Sequence, residues 1–325
     1  MKIGYIGGFW ATNIGNAFYN LGALHLLKKV FGEENVYFIP DPPQEYFSKI
    51  KNDYKWIQHL DLDLFIITGP SLNLWHIDVF RPIFDVLKSR GKKIAYLSVG
   101  ATQYTQEEAE TVSDFINQYD VAFMMTRDEV TYNLYKEKLH TKVFNGICTS
   151  MFLNDAVRVP DVDDEYIVSN FSFFKEPFIE KKDGQWQATH TFIPKFQKEI
   201  DGVKVVRTNN SFLIPMIPKL HDGRLVFNRE NVYYSDLPYG YLSILQSAQK
   251  VFSDRVHTCA ATLILGGEAM YIKGSKRSCD GRNNLFSRLH VESIFSKPTK
   301  LDMNFIASEK KAMEQFLYAI KQDFQ

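Results

Sequence analysis

The chain has 325 residues, is 45% hydrophobic and 23% charged, and balances 38 Lys plus Arg against 38 Asp plus Glu. A formal net charge of zero excludes a general nucleic-acid binder, which would carry a basic excess, but it leaves room for a local anion site. The length suits two domains. No apolar run reaches the ~18 residues of a membrane-spanning helix.

"MKIGYIGGFW" is too short and too glycine-broken for a signal peptide, and "KIGYIG" within it reads as a first strand. A helix follows in "NAFYNLGALHLLKKVFG" and stops at Gly32; "NVYFIP" is the next strand, closed by "PDPP". "DLFIITG" is a buried-type strand ending in a glycine turn, "IDVFRPIFDVLKSRG" a helix, and "KKIAYLSVG" a strand. "TQEEAETVSDFINQY" opens with a threonine cap and an acidic first turn, as a helix start should. "DVAFMMT" and "KVFNG" are strands flanking the helix "RDEVTYNLYKEKL". Such alternation predicts parallel strands joined by helical crossovers in a doubly wound sheet.

The pattern breaks at "AVRVPDVDDEY" (156–166), a polar, proline-marked stretch, and restarts at "YIVSNFSFF". Residues 175–235 predict strands and irregular loops, with turns at "KKDGQW" and "HDGR". Alternation returns at "YGYLSILQSAQKVF", and "SEKKAMEQFLYAIKQDFQ" closes the chain as an amphipathic helix with Met313, Phe316, Leu317 and Ile320 on one face. The expected fold is α/β, with two Rossmann-like domains, 1–158 and 159–325, facing each other across a cleft and the last helix packed over their junction.

Ligands of open parallel sheets bind beyond the carboxyl ends of the strands. After the first strand comes "GGFWATNIGNAF", where Gly8 permits close approach and Asn16 is placed to cap the next helix. The glycine spacing is not G-x-G-x-x-G, so nicotinamide binding gains little. After the third strand, "TGPSLNLW" offers Gly69, Ser71 and Asn73 to an anion or a sugar; a plain tight turn is the structural alternative at both places. After the fifth, Thr126 and Glu129 have capping-box spacing, which puts Arg127 in a first helical turn. A cation there opposes the helix macrodipole, and an anion facing it would explain the choice. A surface ion pair with Asp128 is the bland reading.

"SDRVHTCAATLILGG" repeats the logic in the second half: "KVF" is strand, "SDR" turn and "HTCAATLIL" helix. Arg255 supplies a bidentate fork, and His257 a donor or a proton near neutral pH, at a helix start whose free N–H groups favour phosphate or carboxylate. The basic loop "KGSKRSCDGRNN" carries Lys273, Lys276, Arg277 and Arg282. No H-E-x-x-H, P-loop or metal-ligand spacing is present. Cys148, Cys259 and Cys279 lack C-x-x-C spacing and point to a reduced, cytoplasmic setting, with Cys148 and Cys259 read as packing groups.

Taken in order, "NIGNAF", "DLDLFIITGPSLN", "GKKIAYLSVGATQ", "TRDEVTYNLY", "SDRVHTCAATLILGGEAMYI" and "RNNLFSRLHV" resemble the polysaccharide pyruvyl transferase family, with Asn16 where aspartate is common and two glycines replaced after the third strand. The resemblance implies a GT-B-like architecture and transfer of pyruvate from phosphoenolpyruvate to a sugar of a bacterial cell-surface polysaccharide or its precursor. A ketal forms and phosphate leaves; phosphoenolpyruvate is a co-substrate, and no cofactor is implied. Arg127, Arg255 and His257 match the family's arginine and Arg-x-His positions. They are the expected catalytic group, with His257 the candidate acid and Asp128, Asp254 and Asp78 unranked candidates for the base. Gly8, Asn13, Asn16, Gly69, Ser71, Asn73, Gly100 and Lys273 make up the expected substrate-binding set. A lipid-linked acceptor would bring the protein to the membrane periphery. Two other readings fit the same residues: a glycosyltransferase using a nucleotide sugar, and a non-catalytic binder of anionic glycans.

Overall fold

The computed structural model describes residues 1–8, 10, 13–40, 57, 59–171, 176–191, 196–209, 231–233, 235, 237–273 and 281–324. Lys276, Arg277, Cys279 and the "HDGR" turn lie outside these residues, as does the Arg282 side chain.

The first half runs β1 (Ile3–Gly7), α1 (Gly15–Phe31), β2 (Val36–Pro40), β3 (Leu64–Leu72), α2 (Leu74–Ser89), β4 (Lys93–Ala101), α3 (Gln106–Ile116), β5 (Val121–Thr126), α4 (Glu129–Tyr135), β6 (Val143–Asn145) and a short α5 (Leu153–Ala156). Its strands form one parallel sheet in the order β2-β1-β3-β4-β5-β6. Continuous apolar strands fit because helices cover both faces: Ile94 through Ala101 of β4 are all buried. Helix α1 turns Ala17, Phe18, Ala23, Leu26, Leu27 and Val30 inward. It also presses so closely on the turn at 149–152 that a Cβ on Gly22 would lie 1.9 Å from the Thr149 carbonyl oxygen.

Residues 157–166 carry no helix or strand. The second half then runs β7 (Ile167–Asn170), β8 (Phe178–Lys182), β9 (Gln185–Thr189), β10 (Glu199–Ile200), β11 (Val203–Thr208), β12 (Val232–Tyr233), α6 (Pro238–Ser247), β13 (Lys250–Ser253), α7 (Val256–Ile264), β14 (Ala269–Tyr271), α8 (Asn284–Arg288) and α9 (Met303–Gln322). The second sheet has the order β10-β11-β7-β13-β14, with β12 also on β11, and is parallel except for β10. Hairpin β8–β9 stands apart, closed at the expected "KKDGQW" turn by Asp183 and Gly184 at φ 50° and 80°. On β11 of the second sheet, buried Arg207 forks onto Glu176 at 2.8–3.1 Å, a pair that the sequence reading missed.

Both halves share one topological move. In the first sheet β2 lies on one side of β1 and β3 on the other, and in the second β11 lies on one side of β7 and the later β13 on the other, giving switch points at β1/β3 and at β7/β13. Crevices open beyond the carboxyl ends of strands at such points. The expected closing face of α9 is present: Met313, Leu317 and Ile320 are buried, and Phe316 lies 4.7 Å from the Phe144 ring. The helix returns to the first half, where Lys29 pairs with Glu314 at 2.7 Å and Lys321 donates to the Val30 carbonyl.

Candidate active site

At the β1/β3 crevice, Gly8 lies under Asn16 and Tyr19: a Cβ there would meet the Tyr19 hydroxyl at 2.3 Å and Asn16 Nδ2 at 2.7 Å. Gly69, at φ +88°, faces the same hydroxyl. The cap expected of Asn16 does not form: Ile14 is the N-cap and no side chain caps the helix, while Asn13 braces the turn before it. Asn13 Oδ1 accepts from the Gly15 N–H at 3.1 Å, because α1 starts at Gly15 and Asn16 is already inside its first turn. Asn13 also donates to Asn16 Oδ1. The glycine turn expected after "DLFIIT" is a bulge within β3, which continues to Leu72. Asn73 caps α2 by accepting from the His76 N–H at 2.9 Å and donates to Thr102 Oγ1 at 3.1 Å. Ser71 is buried, its hydroxyl 3.5 Å from the Gly69 carbonyl.

Arg127 stands at the end of β5, and the capping box expected at Thr126 and Glu129 does not form. Thr126 stays in the sheet, paired with Val99 and Asn145, and Asp128 is the N-cap, accepting from the Thr131 N–H at 2.8 Å. Arg127 therefore precedes the helix, and its backbone is tied to Val99 O. The residue is 2% exposed, and its side chain lies flat on Gly100, where a Cβ would fall 2.4 Å from its Nε. Gly100 is the residue that admits the guanidinium. Nε and Nη2 are buried and have no hydrogen-bond partner among the described residues; Asp128 Oδ2 is 3.9 Å from Nε, too far to bond. Burial, the largest influence, works against the charge, but Tyr104 and Asp128 beside it raise the guanidinium pKa above its ordinary value. Arg127 is a fixed, buried cation with two N–H groups on offer.

In the second half, Arg255 is the N-cap of α7 and His257 lies in its first turn. The turn "SDR" is shaped by Ser253, whose hydroxyl accepts from the Arg255 N–H and donates to Asn170 Oδ1, both at 2.9 Å. Asn170, buried at the end of β7, also accepts from Thr258 and donates to Thr208 Oγ1. This buried polar net locks the ends of β7, β11, β13 and α7 together, so the α7 mouth is rigid. Ser253 lies in the expected "SDR" turn, but nothing in the spacing of Asn170, Thr208 and Thr258 marked them in the sequence. Arg255 Nε sits 3.3 Å from Asp254 Oδ1, with the arginine side chain 25% exposed.

The halves meet here. The His257 ring lies 5.0 Å from the Tyr19 ring, centroid to centroid, which brings the α7 mouth to the β1/β3 crevice. The Tyr104 ring lies against Gly281, where a Cβ would fall 2.1 Å from it. Lys273 is exposed and lies over the Phe295 ring at 5.1 Å. Among the base candidates, Asp128 is fully buried and holds three donors, Asp254 is buried against Arg255, and Asp78 is exposed on α2. Cys148 and Cys259 are buried free thiols, and burial pushes the Cys259 pKa up. Among the described residues no cluster of His, Cys, Asp and Glu could hold a metal ion, and no helix is long and apolar enough to cross a membrane.

Two Rossmann-like, mostly parallel sheets, in halves that meet where Tyr19 lies against His257, define a GT-B-like α/β protein. Solved structures with this fold agree along the whole chain. The UDP-GlcNAc 2-epimerase of Methanocaldococcus jannaschii, in complex with UDP-GlcNAc and UDP, is 11% identical, with 98% of this chain and 100% of that chain covered and a TM-score of 0.51. The UDP-GlcNAc-bound Neisseria meningitidis epimerase gives 9% identity, coverage of 98% and 99%, and a TM-score of 0.53. The Rickettsia bellii enzyme gives 11%, coverage of 100% and 96%, and 0.52. Identities this low show the fold alone. No curated protein matches the sequence. The sequence model of the family described as Polysaccharide pyruvyl transferase matches residues 13–274, and the chain belongs to that family.

Proposed function

We propose that the protein is a pyruvyl transferase that moves pyruvate from phosphoenolpyruvate onto two hydroxyls of a sugar in a polysaccharide or its precursor. The observation that carries the reading is Arg127: a residue 2% exposed, with Nε and Nη2 unpartnered among the described residues, in a chain of this family. A buried cation with open N–H groups is costly unless a ligand anion completes it. Phosphoenolpyruvate carries a carboxylate and a phosphate, and Arg127 and Arg255 would each take one as a fork.

In the reaction the methylene carbon gains a proton as the first sugar hydroxyl adds to the neighbouring carbon. The bond from that carbon to the phosphate oxygen then breaks, and the second hydroxyl closes the ketal. Two carbon–oxygen bonds form and one breaks; of the two hydroxyl protons lost, one balances the new methyl group and the other leaves with phosphate. His257, beside Arg255 and held against Tyr19, is the group assigned to the proton transfer, a role typically worth ~10²–10⁴-fold. Clamping both ends of the donor between fixed arginines supplies the positioning. Asparagines 13 and 16 and the Gly8 and Gly69 crevice are assigned to the sugar. A cytoplasmic location and, with a lipid-linked acceptor, a place at the membrane periphery belong to this proposal.

The test is to incubate purified protein with phosphoenolpyruvate and candidate sugars. Acceptor-dependent phosphate release with a new ketal methyl signal in NMR is the expected outcome. Release of a nucleoside diphosphate from a nucleotide sugar would replace this reading with a glycosyltransferase, a reading favoured by the fold shared with the UDP-GlcNAc-bound epimerase. Glycan binding without turnover would replace both.

A further inference from the structure

Tyr104 follows β4 with φ +59°, in the left-handed region that a bulky side chain enters only under constraint. The constraint is Glu108, a buried carboxylate in the first turn of α3. Its Oε1 accepts from the N–H groups of Thr102, Gln103 and Tyr104 at 3.1, 2.9 and 3.3 Å. The conformation so held sends the phenol to Asp128, where Tyr104 Oη donates to Oδ2 at 3.2 Å. Thr131 Oγ1 donates to the same oxygen at 2.9 Å.

That oxygen is also the one 3.9 Å from Arg127 Nε. A shift of about 1 Å would turn this gap into a charge-assisted hydrogen bond and close the fork from within. Two hydroxyl donors on Oδ2 hold it back. We infer that Tyr104 is a positioning residue that keeps Asp128 Oδ2 off Arg127, leaving the guanidinium open for the ligand's anion. The inference rests on the reading of Arg127 as the anion-binding group. The Tyr104 ring against Gly281 places this device where the two halves touch.

Y104F tests it with two readouts, one of which needs no ligand. In the ligand-free protein, the Arg127 Nε–H NMR resonance should move downfield and exchange more slowly with water as the carboxylate closes on it. Affinity for inorganic phosphate and for phosphoenolpyruvate should fall about tenfold, the loss of one charge-assisted contact. T131V removes the other donor to the same oxygen and should act in the same direction. The double variant Y104F/D128N should regain wild-type anion affinity, because a neutral amide does not compete for the fork. An unchanged Arg127 resonance and unchanged affinity in Y104F would overturn the inference. So would a double variant as weak as Y104F, which would mean the loss comes from disturbed packing. If the wild type binds neither anion, the donor reading fails while the Arg127 resonance still decides the role of Tyr104.

Discussion

The two arginines of the site are opposite solutions to presenting a guanidinium. Arg127 is 2% exposed, laid on Gly100, and flanked by an aspartate held at 3.9 Å. Arg255 is the partly exposed N-cap of a helix and leans on its neighbour Asp254 at 3.3 Å. The first is fixed by its surroundings before any ligand arrives, and its charge is little screened. The second rests on a rigid turn with its side chain partly open to solvent, where salt screens its charge. On the proposed reading such a site would separate tasks, with a preorganised anion hole in the first half and a partly solvated guanidinium beside His257 in the second.

The contrast breaks most sharply at Arg127. Arg127→Ala removes two buried donors and leaves Asp128 without its neighbouring cation. Turnover of phosphoenolpyruvate should fall about 10³-fold, at the upper end for loss of a preorganised donor, and phosphate binding should vanish. Arg127→Lys should recover little, since an ammonium cannot reproduce the fork over Gly100. Phosphate release under single-turnover conditions measures both. Activity above a tenth of wild type in the alanine protein would move the anion elsewhere.

His257 comes next. His257→Ala should lower turnover by ~10²-fold or more with the fold intact. If the ring moves a proton, His257→Gln is equally poor; if it only donates to phosphate, Gln stays well above Ala. Circular dichroism separates these outcomes from an unfolded protein, and a folded alanine variant with normal turnover would return His257 to a packing role against Tyr19.

Arg255→Lys should be milder, about tenfold in the affinity for phosphoenolpyruvate. The wild-type affinity should also fall with ionic strength, and Arg255→Gln, which removes a charge whose side chain is 25% exposed, should lose part of that dependence. Equal salt dependence in wild type and in the Arg255→Gln protein would erase the contrast between the two arginines.

How far the sequence could be read follows the same division. Strand–helix alternation made the parallel sheets legible, because apolar runs and glycine stops are local signals. The "SDRVH" handover was legible for the same reason: Ser253, Arg255 and His257 sit within one turn. Capping was less so. Thr105 with Glu108 and Thr126 with Glu129 have the same spacing, yet only Thr105 caps, accepting from the Glu108 N–H at 3.2 Å. Thr126 is held in the sheet by Val99 and Asn145, long-range pairings that outrank the local pattern, and Asp128 takes the cap. Tyr104, Asn170 and the Arg207–Glu176 pair act through partners 24, 38 and 31 residues or more away, and no local spacing announces them.

The smallest expected effect concerns a second histidine and tests whether the pH response of activity belongs to the site. His76, in the first turn of α2, is fully buried, its Nε2 2.9 Å from the Tyr96 hydroxyl, and burial lowers its pKa to about 3. It is neutral in the folded protein, whereas the unfolded chain takes up a proton below about pH 6.5. The unfolded state therefore binds more protons between those values, so stability is full above pH 6.5 and falls as pH drops toward 3. The loss is under ~1 kcal/mol between pH 7 and 6 and steepens to ~1 kcal/mol per pH unit further down, over and above other groups. Denaturant titration across this range measures it. His76→Gln should lower stability overall, because it disturbs the contact with Tyr96 and the surrounding Phe80 and Phe84 rings, yet flatten its pH dependence. It should leave the shape of the pH–rate profile of the folded enzyme unchanged, since that profile is assigned to His257. A pH–rate profile that shifts in His76→Gln and not in His257→Gln would place the working proton in the scaffold of the first half instead of at the α7 mouth.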